Sequence, residues 1–182
     1  MEQAVKAMEA PDRFGFMENK TDAGRRVRTS SAFWRTAQNV AKQLLKLPES
    51  EEYWYQKIAW ANLFPVAPSD GGNPSAALIE AQRPIAKEIL NATIKYYKPT
   101  HILFETGWDY WLNYKGFSML DGFYEDKRLP DESGIVIKKG HIETAKVVIA
   151  SRPENKIAII PTELTKERFY AETVIKAFES LE

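Results

Sequence analysis

Cysteine is absent from the chain of 182 residues. That absence excludes a disulfide framework, a thiolate zinc site, a cysteine nucleophile and a cysteine-ligated iron–sulfur cluster. It fits a reducing compartment, and the expected location is the cytoplasm. Histidine is scarce, at two residues. His101 and His141 have no second metal ligand close by in sequence, so both are read as structural and no cofactor is implied. Net charge is lacking too: 25 basic and 25 acidic residues cancel, so any nucleic-acid site has to be a local patch and not a global field. No apolar run approaches the roughly 20 residues of a membrane span, and the opening "MEQAVKAMEA" has no apolar core of a signal peptide. A membrane partner is therefore not expected.

What is present is ordinary globular composition, with 44% hydrophobic and 27% charged residues, in a length that suits one domain able to bury a core. Residues 1–28 offer no assignable element. "TSSAFWRTAQNVAKQLLKL" carries Phe33, Ala37, Val40, Ala41, Leu44 and Leu45 at helical spacing, behind a cap from Thr29, Ser30 or Ser31. "KIAWANLF", from Lys57 to Phe64, reads as a strand buried on both faces. After a loop from Pro65 to Pro74, Ser75 caps a short helix, and Pro84 marks a kink or the first position of a second one. "HILFETG" is a buried strand, "WDYWLNYK" a short helix, "GIVIKK" an exposed strand or hairpin arm, and "KVVIAS" a further buried strand. An amphipathic helix begins near Glu163 and aligns Val174, Ile175, Phe178 and Leu181.

Strands alternating with helices imply an α/β fold, a three-layer sandwich around a central, mostly parallel sheet. Ligands of such sheets bind beyond the carboxyl ends of the strands. Three strand ends carry polar, turn-forming sequence: Asn62 with its loop, Glu105 to Gly107, and Ser151 to Lys156. Parallel strands would bring all three to one cleft.

The block "IAWANLFPVAPSDGGNPSAALIEAQRPIAKEILNATIKYYKPTHILFETG" resembles the centre of the uracil-DNA glycosylase superfamily. There, a strand ending in Asn enters a Pro- and Gly-containing loop with an N-P step, followed by a helix and by a strand closing on "TG" or "LG". The family's last motif, "H-P-S", is replaced here by "S-R-P-E" at Ser151 to Glu154, after "KVVIA". Its first motif is matched only by the E-A-P core of "MEAPD", Met8 to Asp12, without the glycines. The resemblance spans about Ala32 to Glu182, and the absence of cysteine separates the chain from the iron–sulfur branches of the superfamily.

The resemblance implies a uracil-DNA glycosylase-like fold and cleavage of an N-glycosidic bond on a flipped nucleotide. Asn62 would read the base, since one amide offers both a donor and an acceptor to a pyrimidine edge. Taken alone it is equally a strand-end turn residue. Arg152 stands where the family has its His and would donate to the base oxygen on which negative charge grows. A longer, permanently charged donor redraws the pocket, so a modified pyrimidine becomes a candidate substrate beside uracil. Phe64, Phe14 and Phe16 are candidates for stacking on the base; Trp108 and Trp111 are read as core. Ser69, Gly71, Gly72, Asn73 and Ser75 would approach the DNA backbone, as would the basic cluster Arg25, Arg26, Arg28 and Arg35. For water activation the carry-over falls on Glu9 or Asp12, with Glu18 and Asp22 behind them.

The expected function is thus that of a monofunctional DNA glycosylase, acting as a monomer on DNA by base flipping and base excision, in repair or in antiviral defence. The rival is a non-catalytic nucleic-acid or protein-binding module that keeps the fold. Hydrolysis of free nucleosides is a third reading, and it needs no basic patch.

Overall fold

The computed structural model describes residues 32–66, 68, 74–128, 133–153 and 164–181. Helix α1, Ala32–Leu44, is followed by a 3-10 turn, Trp54–Lys57, and by helix α2, Ala76–Tyr97. The strands are β1 His101–Phe104, β2 Asn113–Tyr114, β3 Phe117–Ser118, β4 Phe123–Glu125, β5 Val136–Ile142 and β6 Ala145–Ala150. Helix α3, Lys166–Glu179, closes the described chain.

Four strands form one sheet in the order β1-β6-β5-β4, and β2 and β3 form a separate hairpin. The expectation of a mostly parallel sheet holds for β1 and β6, which pair in parallel from His101↔Lys146 to Phe104↔Ile149. It does not hold beyond them. β5 pairs antiparallel with both β6 and β4. The reason is local: Glu143 and Thr144 alone separate β5 from β6, and so short a link can join only antiparallel strands.

Alternation along β6 explains the layers. Val148 and Ala150 join a core with Val40 of α1 and Tyr170, Val174 and Phe178 of α3, whereas Val147 and Ile149 join a core with Ile79 and Ala86 of α2, Leu112 and Met119. Neighbouring side chains of a strand point to opposite faces, so α1 and α3 cover one face and α2 with the segment around Leu112–Leu120 covers the other. The α/β architecture with helices on both sides of the sheet follows directly.

Several elements differ from the sequence-based expectation. Residues 57–64 join no ladder. Trp60 stacks on Trp34 of α1 at 5.2 Å between ring centroids, while Phe64 packs with the α2 core, so aromatic packing takes the place of strand pairing. α2 is one helix of 22 residues with Pro84 inside it, not two. "WDYWLNYK" is not a helix: its end forms the β2–β3 hairpin, whose two-residue loop Lys115-Gly116 has φ of 49° and 81°, the positive pair of a type I′ turn. "GIVIKK" contributes to β5, which lies inside the sheet and not on its surface.

Gly140 in β5 is a place where no side chain fits, because a Cβ there would lie 2.0 Å from the Tyr124 carbonyl oxygen of β4. Gly140→Ala is expected to lose more than about 2 kcal/mol by forcing β4 away, read as a lower urea midpoint with an unchanged slope.

Candidate functional site

Parallel pairing brings the carboxyl ends of β1 and β6 to the same pole. From β1 the chain continues as Glu105, Thr106 and Gly107, and from β6 as Ser151 and Arg152. The Gly107 amide donates to the Ala150 carbonyl at 2.8 Å, and the Ser151 amide donates to Ile135 at 2.8 Å. Gly107 has φ of 83°, which an L side chain tolerates poorly. Tyr170 of α3 donates its hydroxyl to the Ser151 carbonyl at 2.9 Å, so the first residue beyond β6 is tied into the helix layer.

Glu105 is the one buried carboxyl among the described residues. Burial pushes it up to about 8, against a smaller opposing effect of the Thr36 hydroxyl. Thr36 donates its hydroxyl towards Glu105 Oε1 at 2.9 Å, with the Phe33 carbonyl at 2.8 Å and the Ala32 carbonyl at 3.0 Å as competing acceptors. A hydroxyl has one proton for three oxygens, so this opposing effect is shared and burial prevails. Tyr170 is also deeply buried, and burial with the nearby Glu105 raises its phenol well above its ordinary value.

A second group at this pole is aromatic and cationic. The Arg152 guanidinium, exposed to solvent, sits 5.0 Å over the Trp111 ring. Trp111 in turn meets Phe64 at 5.9 Å between centroids. Beneath them Arg83 of α2 is buried: it donates to the Trp111 and Tyr110 carbonyls at 3.3 and 3.2 Å, and to Glu80 at 2.8 Å. Its guanidinium also faces the rings of Phe64 and Tyr114 at 5.5 and 5.0 Å. Arg83 therefore fastens the 110–114 turn to the segment that follows Asn62. Gln82 does the same one residue earlier, its amide accepting from the Val66 N–H at 2.7 Å and donating to the Val66 carbonyl at 3.0 Å.

Of the residues singled out in the sequence, Phe64 and Arg152 are thus joined through Trp111, and Asn62 is exposed two residues before Phe64. Phe64 is itself buried, so its ring supports Trp111 and is not presented to solvent. Trp111, expected in the core, is only partly buried there and carries Arg152 on its ring. Ser75 is the N-cap of α2, accepting from the Leu78 amide at 3.2 Å. Arg35 is engaged with Glu167 at 2.7 Å, linking α1 to α3, which removes it from a free basic patch. His101 packs edge-on against Phe178 with 5.2 Å between centroids, and burial lowers its proton affinity. Phe14, Phe16, Glu9, Asp12, Glu18, Asp22, Arg25, Arg26, Arg28, Ser69, Gly71, Gly72 and Asn73 lie outside the described residues.

Sequence reading placed Glu105 at this pole but did not foresee its burial, and missed Thr36 and Arg83 as parts of it. A charged residue directly after the apolar "HILF" was the available signal for Glu105; Thr36 and Arg83 sit within helices and gave none.

Comparison of the chain with protein-family models, with curated proteins and with solved structures finds no match in any of the three.

The raised affinity of Glu105 for its proton fixes the sign of a pH effect. The unfolded chain releases this proton near the ordinary value of 4.5, and the folded chain keeps it to about 8. Unfolding in that window releases a proton, so stability falls as pH rises, by up to about 1.4 kcal/mol per pH unit, and levels off above the folded value. Glu105→Gln keeps a hydrogen-bonding amide without the charge. Thermal melts between pH 5 and 9 should show the decline in the parent protein and a flatter profile, with a higher melting temperature at pH 8, in the variant.

Proposed function

We propose that this protein is a DNA glycosylase which binds a flipped base at the carboxyl pole of β1 and β6. The observation that carries the reading is the meeting of Phe64 and Arg152, distant in sequence, around Trp111. In the proposed reaction water adds its oxygen to the anomeric carbon of the sugar, the carbon–nitrogen bond breaks, the base departs with the bonding pair, and the proton that water gives up ends on the base. Arg152 donates to the base oxygen on which that charge collects, and Asn62 reads the base edge through a donor and an acceptor. The resemblance to the uracil-DNA glycosylase superfamily supports the substrate class, and the Arg in place of His favours a modified pyrimidine over plain uracil. Repair of DNA and defence against DNA carrying modified bases are both roles such an activity serves.

A non-catalytic DNA-binding module is the second reading, favoured by Glu105. A carboxyl held protonated to about 8 is an acid or a donor at neutral pH and does not activate water as a base. The carboxylates assigned that task, Glu9 and Asp12, fall outside the described residues.

The two readings separate in one assay. Purified protein is incubated with oligonucleotides carrying uracil or a panel of modified pyrimidines, and abasic sites are revealed by alkaline cleavage. Strand breaks at one base are expected, reduced at least about 100-fold in Arg152→Ala, the scale on which loss of one charge-stabilising donor is felt, and in Asn62→Ala. Intact strands on every substrate, with binding retained, would leave the binding module.

A further inference from the structure

The segment following β1 carries a surface that begins at the proposed base site, at Trp111 and Arg152, and runs beyond it. Tyr110 meets Trp111 at 5.3 Å and Tyr114 at 5.2 Å between centroids, so the three rings form a connected row. A cation stands at each end: Arg152 over Trp111 at 5.0 Å, and the Lys115 ammonium over Tyr114 at 5.2 Å. Phe117, 36% exposed, follows on the same hairpin. Three other cations also lie over rings, but each is paired with a carboxylate: the buried Arg83, against Tyr110 and Tyr114, with Glu80 at 2.8 Å, Lys87, above Phe117, with Asp121 at 2.8 Å, and Lys138, above Trp108, with Glu125 at 2.7 Å. Arg152 and Lys115 are exposed and have no carboxylate partner among the described residues. Asp109 is the one carboxylate between Trp108 and Phe117.

Lys115 shares a positive φ with Lys46, Lys98 and Glu143 among the described residues. It occupies the first position of the I′ turn at φ of 49°, where Asn, Asp or Gly is the usual choice because an L side chain is strained there. A lysine at that place sacrifices backbone ease and puts an ammonium at the tip of the hairpin.

We infer that the row from Trp111 to Lys115 is a docking strip for an unpaired DNA strand, with Lys115 as the phosphate contact at its far end and Arg152 at the end it shares with the proposed base site. Aromatic rings between cations suit this ligand, since every base has a stacking face and every linkage a negative charge. Duplex DNA hides its base faces and would engage the cations alone. The charged heads themselves lie over the rings, so a strand laid along the row meets aromatic surface and positive charge together. The inference rests on the DNA partner of the proposed function, but not on cleavage of the glycosidic bond.

The test is fluorescence anisotropy of the full chain with an end-labelled oligothymidine over a range of salt concentrations. Lys115→Asn suits the turn and is expected to keep or raise the melting temperature, so lost binding would not be lost folding. It should weaken binding at least about 5-fold at low salt and make the slope of log affinity against log salt shallower by about 0.7, the loss of one single-strand phosphate contact. Tyr114→Leu should weaken binding at least about 5-fold with the slope unchanged, because stacking is not ionic. Wild-type affinity and slope in a folded Lys115→Asn, or no effect of Tyr114→Leu, would overturn the strip. Abasic-site formation is scored separately on the same proteins. Cleavage without these binding effects removes the strip and keeps the glycosylase; the binding effects without cleavage keep the strip and remove the glycosylase.

Discussion

The parallel contact between β1 and β6, running from His101↔Lys146 to Phe104↔Ile149, determines where polar chemistry can gather in this molecule. Strands that run the same way end at the same pole, and here that pole receives Glu105 from one and Ser151 with Arg152 from the other. An antiparallel arrangement would have sent them to opposite ends. The antiparallel strands β5 and β4 extend the sheet on the far side of β6 and bury it, and the amide of Ser151 is anchored back to the start of β5.

Around that pole the layers hold two kinds of polar group in two kinds of surroundings. Glu105, Thr36 and Tyr170 are sealed between sheet and helices, where low polarity favours neutral forms and each oxygen needs a partner. Arg152 is outside, on Trp111, where its charge stays in water and its flat guanidinium lies against an aromatic face. Arg83 is the exception: a charge inside, accommodated by two carbonyls, one carboxylate and the faces of several rings. Its cost of burial is offset by fixing the turn on which Trp111 sits.

The parts legible in the sequence were those set by short-range pattern. Helical spacing located α1 and α3, the apolar runs "HILF" and "KVVIA" located β1 and β6, and Ser75 was recognisable as a cap. Their common pole followed from the parallel rule. What was not legible depended on partners far away in sequence. Nothing local distinguishes the apolar run at 57–64 from a strand, since its fate is decided by Trp34 and by the α2 core. "WDYWLNYK" has helical spacing of its tryptophans, but Lys115-Gly116 turns the chain into a hairpin, a turn whose Lys conceals it from the usual Asn-Gly signature. β5 read as exposed because its lysines are polar; Lys139 is nevertheless buried, donating to Ser180 at 2.6 Å. For the candidate site, Arg152 was visible as a strand-end residue, whereas Asn62, read at the end of a strand, follows none, and Glu105 needed the fold before its environment could be recognised.

The connectivity of the sheet also orders its assembly. β4, β5 and β6 follow one another closely and can zip up as local hairpins, whereas β1 must find β6 across the intervening chain, a closure whose entropy is repaid only late. β1 has one neighbour in the sheet and three of its four residues are only partly buried. The two loops of the pole therefore come into register when the strand with the most distant partner docks, and a local detachment of β1 would dissolve the site while the rest of the sheet stayed folded.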